Sequence, residues 1–273
     1  MNLPSFSTLT LSLADGIAEV RLNRPDKSNA MNDAMWLEIR QAFEWIDATP
    51  QARVAILSGA GKNFCAGIDL AMLGSIQQRI ADPDGARSRE ALRRLILDLQ
   101  DCLSSIERCR QPVVAAIQGA CVGGALDMVT CCDMRYAATD AFFSIKEIDL
   151  GMVADVGTLQ RLPQLIGDGM VRELAYTGRN VGAEEAEKLG LINRVFPSPE
   201  TLSATVRELA QSIAAKSPLA TRGLKEVMNY NRDHTVADGL GFVATWNAAL
   251  LLSGDLDESI AAQREQRVAK FAD

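Results

Sequence analysis

Histidine is almost absent from this sequence, because His234 is the only one among 273 residues. A catalytic triad built on histidine would have to use that residue, and a zinc site with two or three histidine ligands cannot form at all. If the protein is an enzyme, its acid–base chemistry falls mainly to carboxylates, lysine, tyrosine or cysteine. We therefore expect no bound metal.

A positive net charge is also lacking. The 28 basic and 35 acidic residues give a net charge of −7, and the isoelectric point is near 5.0. This charge argues against a protein that binds nucleic acid or an anionic membrane through its overall charge.

The six cysteines lack the CxxC spacing of metal and redox sites, and most lie in apolar stretches. We therefore expect reduced core thiols and a cytoplasmic location. The beginning of the chain, MNLPSF, shows neither a basic leader nor an apolar core, so it predicts no signal peptide.

Long hydrophobic runs are scarce. The most apolar stretch, residues 113–132, contains Gln118, Asp127 and three glycines. These residues favour a buried strand, a glycine turn and a buried helix over a membrane-spanning helix.

Familiar catalytic motifs are missing as well. The segment Gly59–Lys62 superficially suggests a phosphate loop, but Asn63 stands where that loop needs serine or threonine. No G-x-G-x-x-G opens a helix, and no G-x-S-x-G is found. Nucleotide hydrolysis, dinucleotide redox chemistry and serine hydrolysis lose support.

The pattern along the chain predicts an α/β protein. Alternating apolar residues around Asp15-Gly16 predict an opening hairpin, and Asn32 is placed to cap a helix. Buried strands are expected at 54–57 and 113–117, a long helix at 86–108, and short strands near 134–137 and 142–143. Further helical segments are expected near 157–165, 168–177, 183–188, 201–216, 236–251 and 254–269.

We interpret residues 1–195 as an α/β core and residues 196–273 as a helical C-terminal extension, because no flexible linker separates them. Strand–strand–helix units recur in the core, and they suggest a layered or spiral architecture.

Two loops of small residues each follow a buried strand, at residues 63–70 and 118–127. Small side chains let a ligand approach the backbone, and amides at a helix start favour negative charge. Two such loops can supply two donors to one oxyanion. Close packing of a helix against a strand is the other explanation for either loop alone.

Three acids accompany the second loop: Asp127, Glu147 and Asp155. Each has apolar neighbours in the sequence, and desolvation raises the pKa of a carboxyl towards the range useful for proton transfer. Structural roles stay open at this point. Asp155 could cap the next helix, and Glu147 could pair with Lys146 or Arg161.

Several motifs spread over nearly the whole chain carry a family resemblance: residues 24–31, 64–69, 123–124, 132–135, 178–186 and 190–195. Together they resemble the crotonase, or enoyl-CoA hydratase/isomerase, superfamily. Residues 67–70, 154–163, 217–218 and 232–236 resemble its Δ3,5-Δ2,4-dienoyl-CoA isomerases most. The resemblance implies an α/β fold, a crotonase-like spiral of repeated β-β-α units with a C-terminal helical extension.

The resemblance also implies an activity, the conversion of 3,5-dienoyl-CoA to 2,4-dienoyl-CoA in the degradation of unsaturated fatty acids. It assigns the amides of Ile68 and Gly124 to an oxyanion hole for the thioester oxygen. Asp155 is expected to take a proton from C2, and protonated Glu147 to deliver one to C6. Asp127, which departs from the glutamate of the hydratases, is expected to act through orientation or electrostatics.

Coenzyme A is expected to be part of the substrate, with no separate cofactor. The resemblance places its adenine near Lys27, Ser28 and Ala30. It places its pantetheine along Ala66, Gly67, Ile68, Asp69 and Leu70. Lys27, Lys62, Arg264 or Lys270 is expected to meet its phosphates.

For His234 a core or interface role is expected, and for the whole chain a homotrimer or a dimer of trimers. Two other functions stay open: a 2-enoyl-CoA hydratase, in which Asp127 and Glu147 activate a water molecule, and a non-catalytic acyl-CoA-binding protein.

Overall fold

The computed structural model describes residues 3–273. Met1 and Asn2 lie outside the described residues, and so does this part of the segment for which no signal peptide is predicted. Within this range the strands are β1 (Leu9–Ala14), β2 (Ile17–Leu22), β3 (Val54–Gly59), β4 (Val113–Ile117), β5 (Ala120–Val122), β6 (Met134–Ala138), β7 (Phe142–Ser144), β8 (Val181–Gly182) and β9 (Arg194–Phe196). They form a six-stranded sheet in the order β1-β2-β3-β4-β6-β9 and a small sheet in the order β5-β7-β8.

Parallel pairing dominates the large sheet. β1 and β2 form the predicted antiparallel hairpin, with Asp15 and Gly16 both at positive φ in its turn. The remaining neighbours in this sheet run parallel, so β3 and β4 end at the same edge. Both small-residue loops begin at that edge.

The helices are α1 (Asp33–Ala48), α2 (Leu70–Arg79), α3 (Gly85–Arg108), α4 (Gly124–Thr130), α5 (Thr158–Arg161), α6 (Asp168–Thr177), α7 (Ala183–Leu189), α8 (Pro199–Ala214), α9 (Pro218–Asn231), α10 (Val236–Leu250) and α11 (Gly254–Arg264). Short 3-10 turns lie at Pro25–Lys27, Lys146–Leu150 and Leu162–Gln164.

Alternation along the strands divides the core into two layers. Val54 and Ile56 of β3 face a cluster with Val206 of α8, whereas Ala55 and Leu57 face the larger cluster that includes α1, α3 and α4. Burial on both faces explains why β3 and β4 consist almost entirely of apolar residues. The helix α8, which follows residue 195, is therefore packed on the sheet itself.

Most predicted elements are confirmed, as is the α/β class of the fold. Three details were wrong: residues 120–122 form a strand instead of part of a turn, the expected helix at 157–165 is the short α5 followed by a 3-10 turn, and the last helix ends at Arg264. The sequence also missed α2 and α9. The sequence of α9 does carry a helix signal, because Leu224, Val227 and Met228 recur at three- and four-residue steps, and Leu224 and Met228 are exposed in the single subunit. The boundary between a core of residues 1–195 and an extension of residues 196–273 stays a prediction.

All six cysteines are buried free thiols, as expected. Residues 113–132 form β4, β5 and α4 instead of one long helix. Within residues 3–273 no single helix is long and apolar enough to cross a membrane, although α10 and α11, bent by 76°, meet the length and composition test as a pair.

Candidate active site

The two small-residue loops are joined edge to edge. Cys65 and Cys121 form an isolated parallel bridge, in which the Cys65 amide donates to the Ala120 carbonyl at 2.9 Å and the Val122 amide donates to the Cys65 carbonyl at 3.2 Å. The segments after β3 and β4 are thereby held side by side, as two loops that serve one site would have to be.

The amides of Ile68 and Gly124 are free to bind a ligand. Met31 pairs with both neighbours of Ile68: its amide donates to Gly67, and its carbonyl accepts from Asp69. The intervening Ile68 N–H therefore points away from Met31. In residues 3–273 it finds no acceptor, and neither does the N–H of Gly124 in the first turn of α4.

Gly67 brings these two amides close together. Its φ of +88° is a conformation that glycine adopts without strain, and a Cβ placed there would lie 2.6 Å from the Val122 carbonyl and 3.4 Å from the Gly124 nitrogen. The structure thus brings together the two predicted oxyanion donors, and close approach of the loops requires glycine at position 67.

Two cavities meet at these donors. The larger, about 550 Å³, is mainly apolar, and the smaller is about 270 Å³. Both are lined by Ile68, Gly124, Glu147 and Met152. The geometry suits a ligand that has an apolar tail in the larger cavity, a second arm in the smaller cavity and an electronegative atom at their junction.

Glu147 lies at this junction. It belongs to the 3-10 turn Lys146–Leu150, and its Oε2 is buried without a hydrogen-bond partner in the described part of the chain. Burial raises the pKa of the Glu147 carboxyl to about 7, and repulsion from Asp127 adds to the rise. This shift favours a protonated Glu147 near neutral pH, as a general acid requires.

Asp155 lies on the wall of the larger cavity, in the segment before α5. The Gln100 side chain of α3 donates to the Asp155 carbonyl at 2.6 Å and fixes the position of this segment. Partial burial raises the pKa of the Asp155 carboxyl above its ordinary value. The possible helix-capping role is wrong, since α5 begins at Thr158 without a side-chain cap.

Asp127 is fully buried in α4. Its Oδ1 accepts from the Thr158 amide at 2.5 Å, while its Oδ2 has no partner among the described residues. Burial raises the pKa of Asp127 to about 6. Within residues 3–273, Asp127 lines neither of the two cavities. The structure therefore places this acid behind the residues that form the cavity walls.

The possible ion pairs of Glu147 are also wrong. Lys146 instead binds Asp149 at 2.9 Å, and Arg161 binds Glu107 at 3.0 Å. Each candidate cation is already paired elsewhere, so Glu147 is left without a charge partner. An unpaired buried carboxyl is costly to stability, which favours a functional role.

The predicted coenzyme A residues separate into two groups. Four residues predicted for the pantetheine line the smaller cavity, namely Ala66, Gly67, Ile68 and Leu70, and Ala30, predicted for the adenine, lines it too. The wall of that cavity, within the described chain, does not include Lys27, Ser28 or Asp69.

The side chain of Asp69 instead supports the loop. It binds Arg24 at 3.0 Å and caps α2 by accepting from the Ala71 amide. Both contacts lower its pKa, the cap contributing most. This carboxylate ties the segment that begins at Arg24 to the oxyanion loop.

The three lysine candidates for phosphate binding lie at opposite edges of the subunit. Lys27 and Lys62 are in adjoining loops, where the Asn63 side chain donates to Ser28 at 3.1 Å. The chain end is bound by Arg53, just before β3 begins, whereas the loops follow the end of β3. Within one subunit, Lys270 therefore lies at the edge away from the loops.

His234 is exposed, which corrects the core alternative for this residue. Its ring stacks on Tyr230 with centroids 3.7 Å apart, and Nδ1 lies 2.7 Å from the Tyr230 carbonyl. Within the described chain it lines neither of the two cavities. An interface role stays a prediction.

The sequence missed most of the larger cavity. Its apolar wall comes from α1, α2 and α3: Trp36, Leu73, Ile76, Ile80, Leu92, Leu95, Ile96 and Leu99. The sequence does contain a signal for α2, because Asp69 is a helix-capping residue and apolar residues follow it at three- and four-residue steps. No sequence pattern predicts that the Trp36 ring lies beside Gly124, where a Cβ would be 3.6 Å from the ring.

Comparison with known proteins agrees with this geometry. Residues 12–273 match the family described as Enoyl-CoA hydratase/isomerase. The chain is 46% identical to an Arabidopsis thaliana protein named peroxisomal Δ(3,5)-Δ(2,4)-dienoyl-CoA isomerase, over 100% of this chain and 99% of that protein. It is 44% identical to the mitochondrial protein of that name from Homo sapiens, over 97% and 82% of the two chains.

The fold has a solved counterpart. The crystal structure of an enoyl-CoA hydratase from Bacillus anthracis superposes with a TM-score of 0.88 at 30% identity and covers 97% of this chain and 99% of that chain. With the family match over residues 12–273 and relatives aligned over nearly the full length, the resemblance inferred from the sequence is confirmed, and this chain belongs to the enoyl-CoA hydratase/isomerase family.

Proposed function

We propose that the protein isomerises 3,5-dienoyl-CoA to 2,4-dienoyl-CoA, in the degradation of unsaturated fatty acids. One observation carries the proposal: two free amides lie at the junction of two cavities, and Glu147 and Asp155 both line the apolar cavity. The relatives at 44–46% identity that are named for this reaction support it.

The first step removes a proton from C2. The acyl chain occupies the apolar cavity, pantetheine occupies the smaller one, and the thioester oxygen accepts hydrogen bonds from Ile68 and Gly124. Asp155 takes the proton, and the electrons of the C2–H bond enter a dienolate whose charge extends to oxygen, C4 and C6. Each amide donor stabilises this charge by a few kcal/mol, by analogy with other oxyanion holes.

The second step places a proton on C6. Glu147 supplies it, because a carboxyl with a pKa of about 7 retains a proton at neutral pH and releases it to a carbanion. Electrons from the dienolate form the new C6–H bond, and the double bonds move to C2 and C4. Asp127 contributes by repulsion, since its charge raises the pKa of Glu147.

Hydration of 2-enoyl-CoA is the alternative that the structural relative from Bacillus anthracis suggests by its name. In that reaction Asp127 and Glu147 would hold one water molecule between them. The position of Asp127 behind the site opposes this arrangement, because the carboxylate lines neither cavity within the described chain. A binding protein without activity would not need an unpaired acid such as Glu147 at the junction.

The test is an absorbance assay for conjugated 2,4-dienoyl-CoA, with 3,5-dienoyl-CoA substrates of several lengths and 2-enoyl-CoA as the comparison. The proposal expects turnover of the dienoyl substrates. Acyl-CoA binding without any turnover would favour the binding protein, and turnover of 2-enoyl-CoA alone would favour the hydratase.

Three further expectations stay proposals. We expect no cofactor beyond the coenzyme A of the substrate.

Assembly as a homotrimer or dimer of trimers is consistent with the exposed apolar residues Leu224, Met228 and Leu240 on α9 and α10, and light scattering tests it. A cytoplasmic location rests on the six free cysteines, whereas the two isomerase relatives are named as peroxisomal and mitochondrial proteins.

A further inference from the structure

A third cavity, of about 460 Å³, adjoins the active site and is lined mainly by polar side chains. Asp155 belongs to its wall as well as to the wall of the apolar cavity. Its other lining residues include Gln160 and Gln164, both of which are exposed. Asp155 therefore separates an apolar compartment from a polar one.

The wall of this polar cavity is braced by ion pairs. Arg161 binds Glu107 at 3.0 Å, and Arg232 binds the same carboxylate from the other side. Arg161 also donates to the Ser104 hydroxyl at 3.1 Å. These contacts fix charged and polar side chains in the same cavity wall as Asp155.

Glu147 has no comparable contact with the polar cavity. It lines the apolar cavity and the smaller cavity, whereas the polar cavity, as formed by the described residues, is lined without it, and its Oε2 is buried. An acyl chain in one cavity and pantetheine in the other would enclose Glu147, whereas Asp155 would keep contact with the polar cavity. The two acids therefore differ in whether they can exchange protons while substrate is bound.

The reaction requires such exchange. After one turnover Asp155 carries the proton from C2, and Glu147 has lost its proton to C6. Before the next turnover Asp155 must release a proton and Glu147 must gain one. Either the proton passes from Asp155 to Glu147 inside the site, or each acid exchanges with solvent by its own route.

We propose, on the basis of the isomerase function, that the polar cavity beside Gln160 and Gln164 is the proton exit from Asp155. The C2 proton passes through it to solvent while the acyl group is bound. Glu147 receives a different proton from solvent after product has left. The proton that arrives at C6 is therefore not the proton that left C2.

An isotope experiment over many turnovers distinguishes the two routes, because the deuteron taken from C2 can reach C6 only in a later turnover. A small amount of enzyme converts 3,5-dienoyl-CoA that carries two deuterons at C2, in H2O, and the product is analysed by mass spectrometry. Solvent exchange predicts a product with one deuteron, because the abstracted one is lost to water. A product with two deuterons, one of them at C6, would overturn the proton exit while confirming the isomerase. The absence of any 2,4-dienoyl product would instead contradict the proposed function itself.

A variant tests the polar cavity as the route. Replacing both amides, Gln160→Leu and Gln164→Leu, fills its wall with apolar groups, and Gln211→Leu on the exposed face of α8 is the matched control. We expect the double variant to retain the second deuteron in a larger fraction of product, or to keep its first-turnover rate while kcat falls. A double variant that matches both the control and the wild type in label loss and in kcat would contradict the exit route.

Discussion

Glu147 and Asp155 are both carboxyls on the apolar cavity, but their surroundings differ. Glu147 lies at the junction of two substrate cavities with a buried, unpartnered oxygen, and its pKa is raised to about 7. Asp155 is exposed between the apolar cavity and a polar one, and partial burial raises its pKa above the ordinary value. One fold can thus give two carboxyls on one cavity different surroundings and different access to solvent.

The largest effect is expected from removing the base. Asp155→Asn keeps the shape of the side chain and the backbone contact with Gln100, but it cannot accept the C2 proton. We expect kcat for 2,4-dienoyl-CoA formation to fall by about 10²–10⁴-fold. If the protein is instead a hydratase, hydration of 2-enoyl-CoA by this variant will match the wild type.

A similar loss is expected when the oxyanion hole is distorted without touching either acid. In Gly67→Ala the new Cβ would approach the Val122 carbonyl at 2.6 Å at a positive φ, so the Ile68 amide must move. We expect kcat to fall by about 10²–10³-fold, as for loss of one oxyanion donor. Gly74→Ala is the control, because a Cβ at that position in α2 meets nothing within 4 Å. Equal activity of the two variants would contradict the assignment.

A smaller effect concerns pH. Glu147 must be protonated to deliver a proton, so activity is lost as the pH rises through its pKa of about 7. We expect kcat/KM to decline about tenfold for each pH unit above that value. The pH profile of the wild type, measured with a 3,5-dienoyl-CoA substrate, checks this. A profile that stays flat far into the alkaline range would remove Glu147 from the role of acid.

The smallest effect is on stability. An aspartate in the unfolded chain has a pKa near 3.9, whereas burial raises the pKa of Asp127 to about 6, so the folded protein binds more protons between these values. Stability therefore falls as the pH rises from about 4 to 6, and the cost persists at pH 7. We expect Asp127→Asn to raise the free energy of unfolding in urea at pH 7 by about 1–3 kcal/mol, with no gain in acid below about pH 4. A variant equally destabilised at both pH values would contradict the account.

Much of this comparison could be predicted from the residue pattern. The acids Asp127, Glu147 and Asp155 have apolar neighbours in the sequence, and the two small-residue loops follow buried strands. Both signals are local, because strand burial and glycine content are properties of short segments. The roles of Ile68 and Gly124 came from family resemblance, and the free amides of the structure agree with them.

The rest depends on contacts that sequence periodicity does not encode. Asp127 lies behind the site and Glu147 at the junction, although both are acids in apolar segments. The sequence also does not decide whether Lys146 or Arg161 pairs with Glu147. Lys146 binds Asp149 on its own turn, and Arg161 binds Glu107, which is far away in the sequence. The polar cavity is built from α3, α5 and α9, and its position beside Asp155 follows only from tertiary packing.

The division of labour between the two acids is tested most directly by Glu147→Gln in D2O. This variant keeps Asp155 and the oxyanion hole, so it should still form the dienolate and return it to substrate. We predict that deuterium enters C2 of recovered 3,5-dienoyl-CoA, measured by mass spectrometry, while 2,4-dienoyl-CoA formation falls by about 10²–10⁴-fold. Undiminished 2,4-dienoyl-CoA formation, or no deuterium at C2 where the wild type introduces it, would contradict the account.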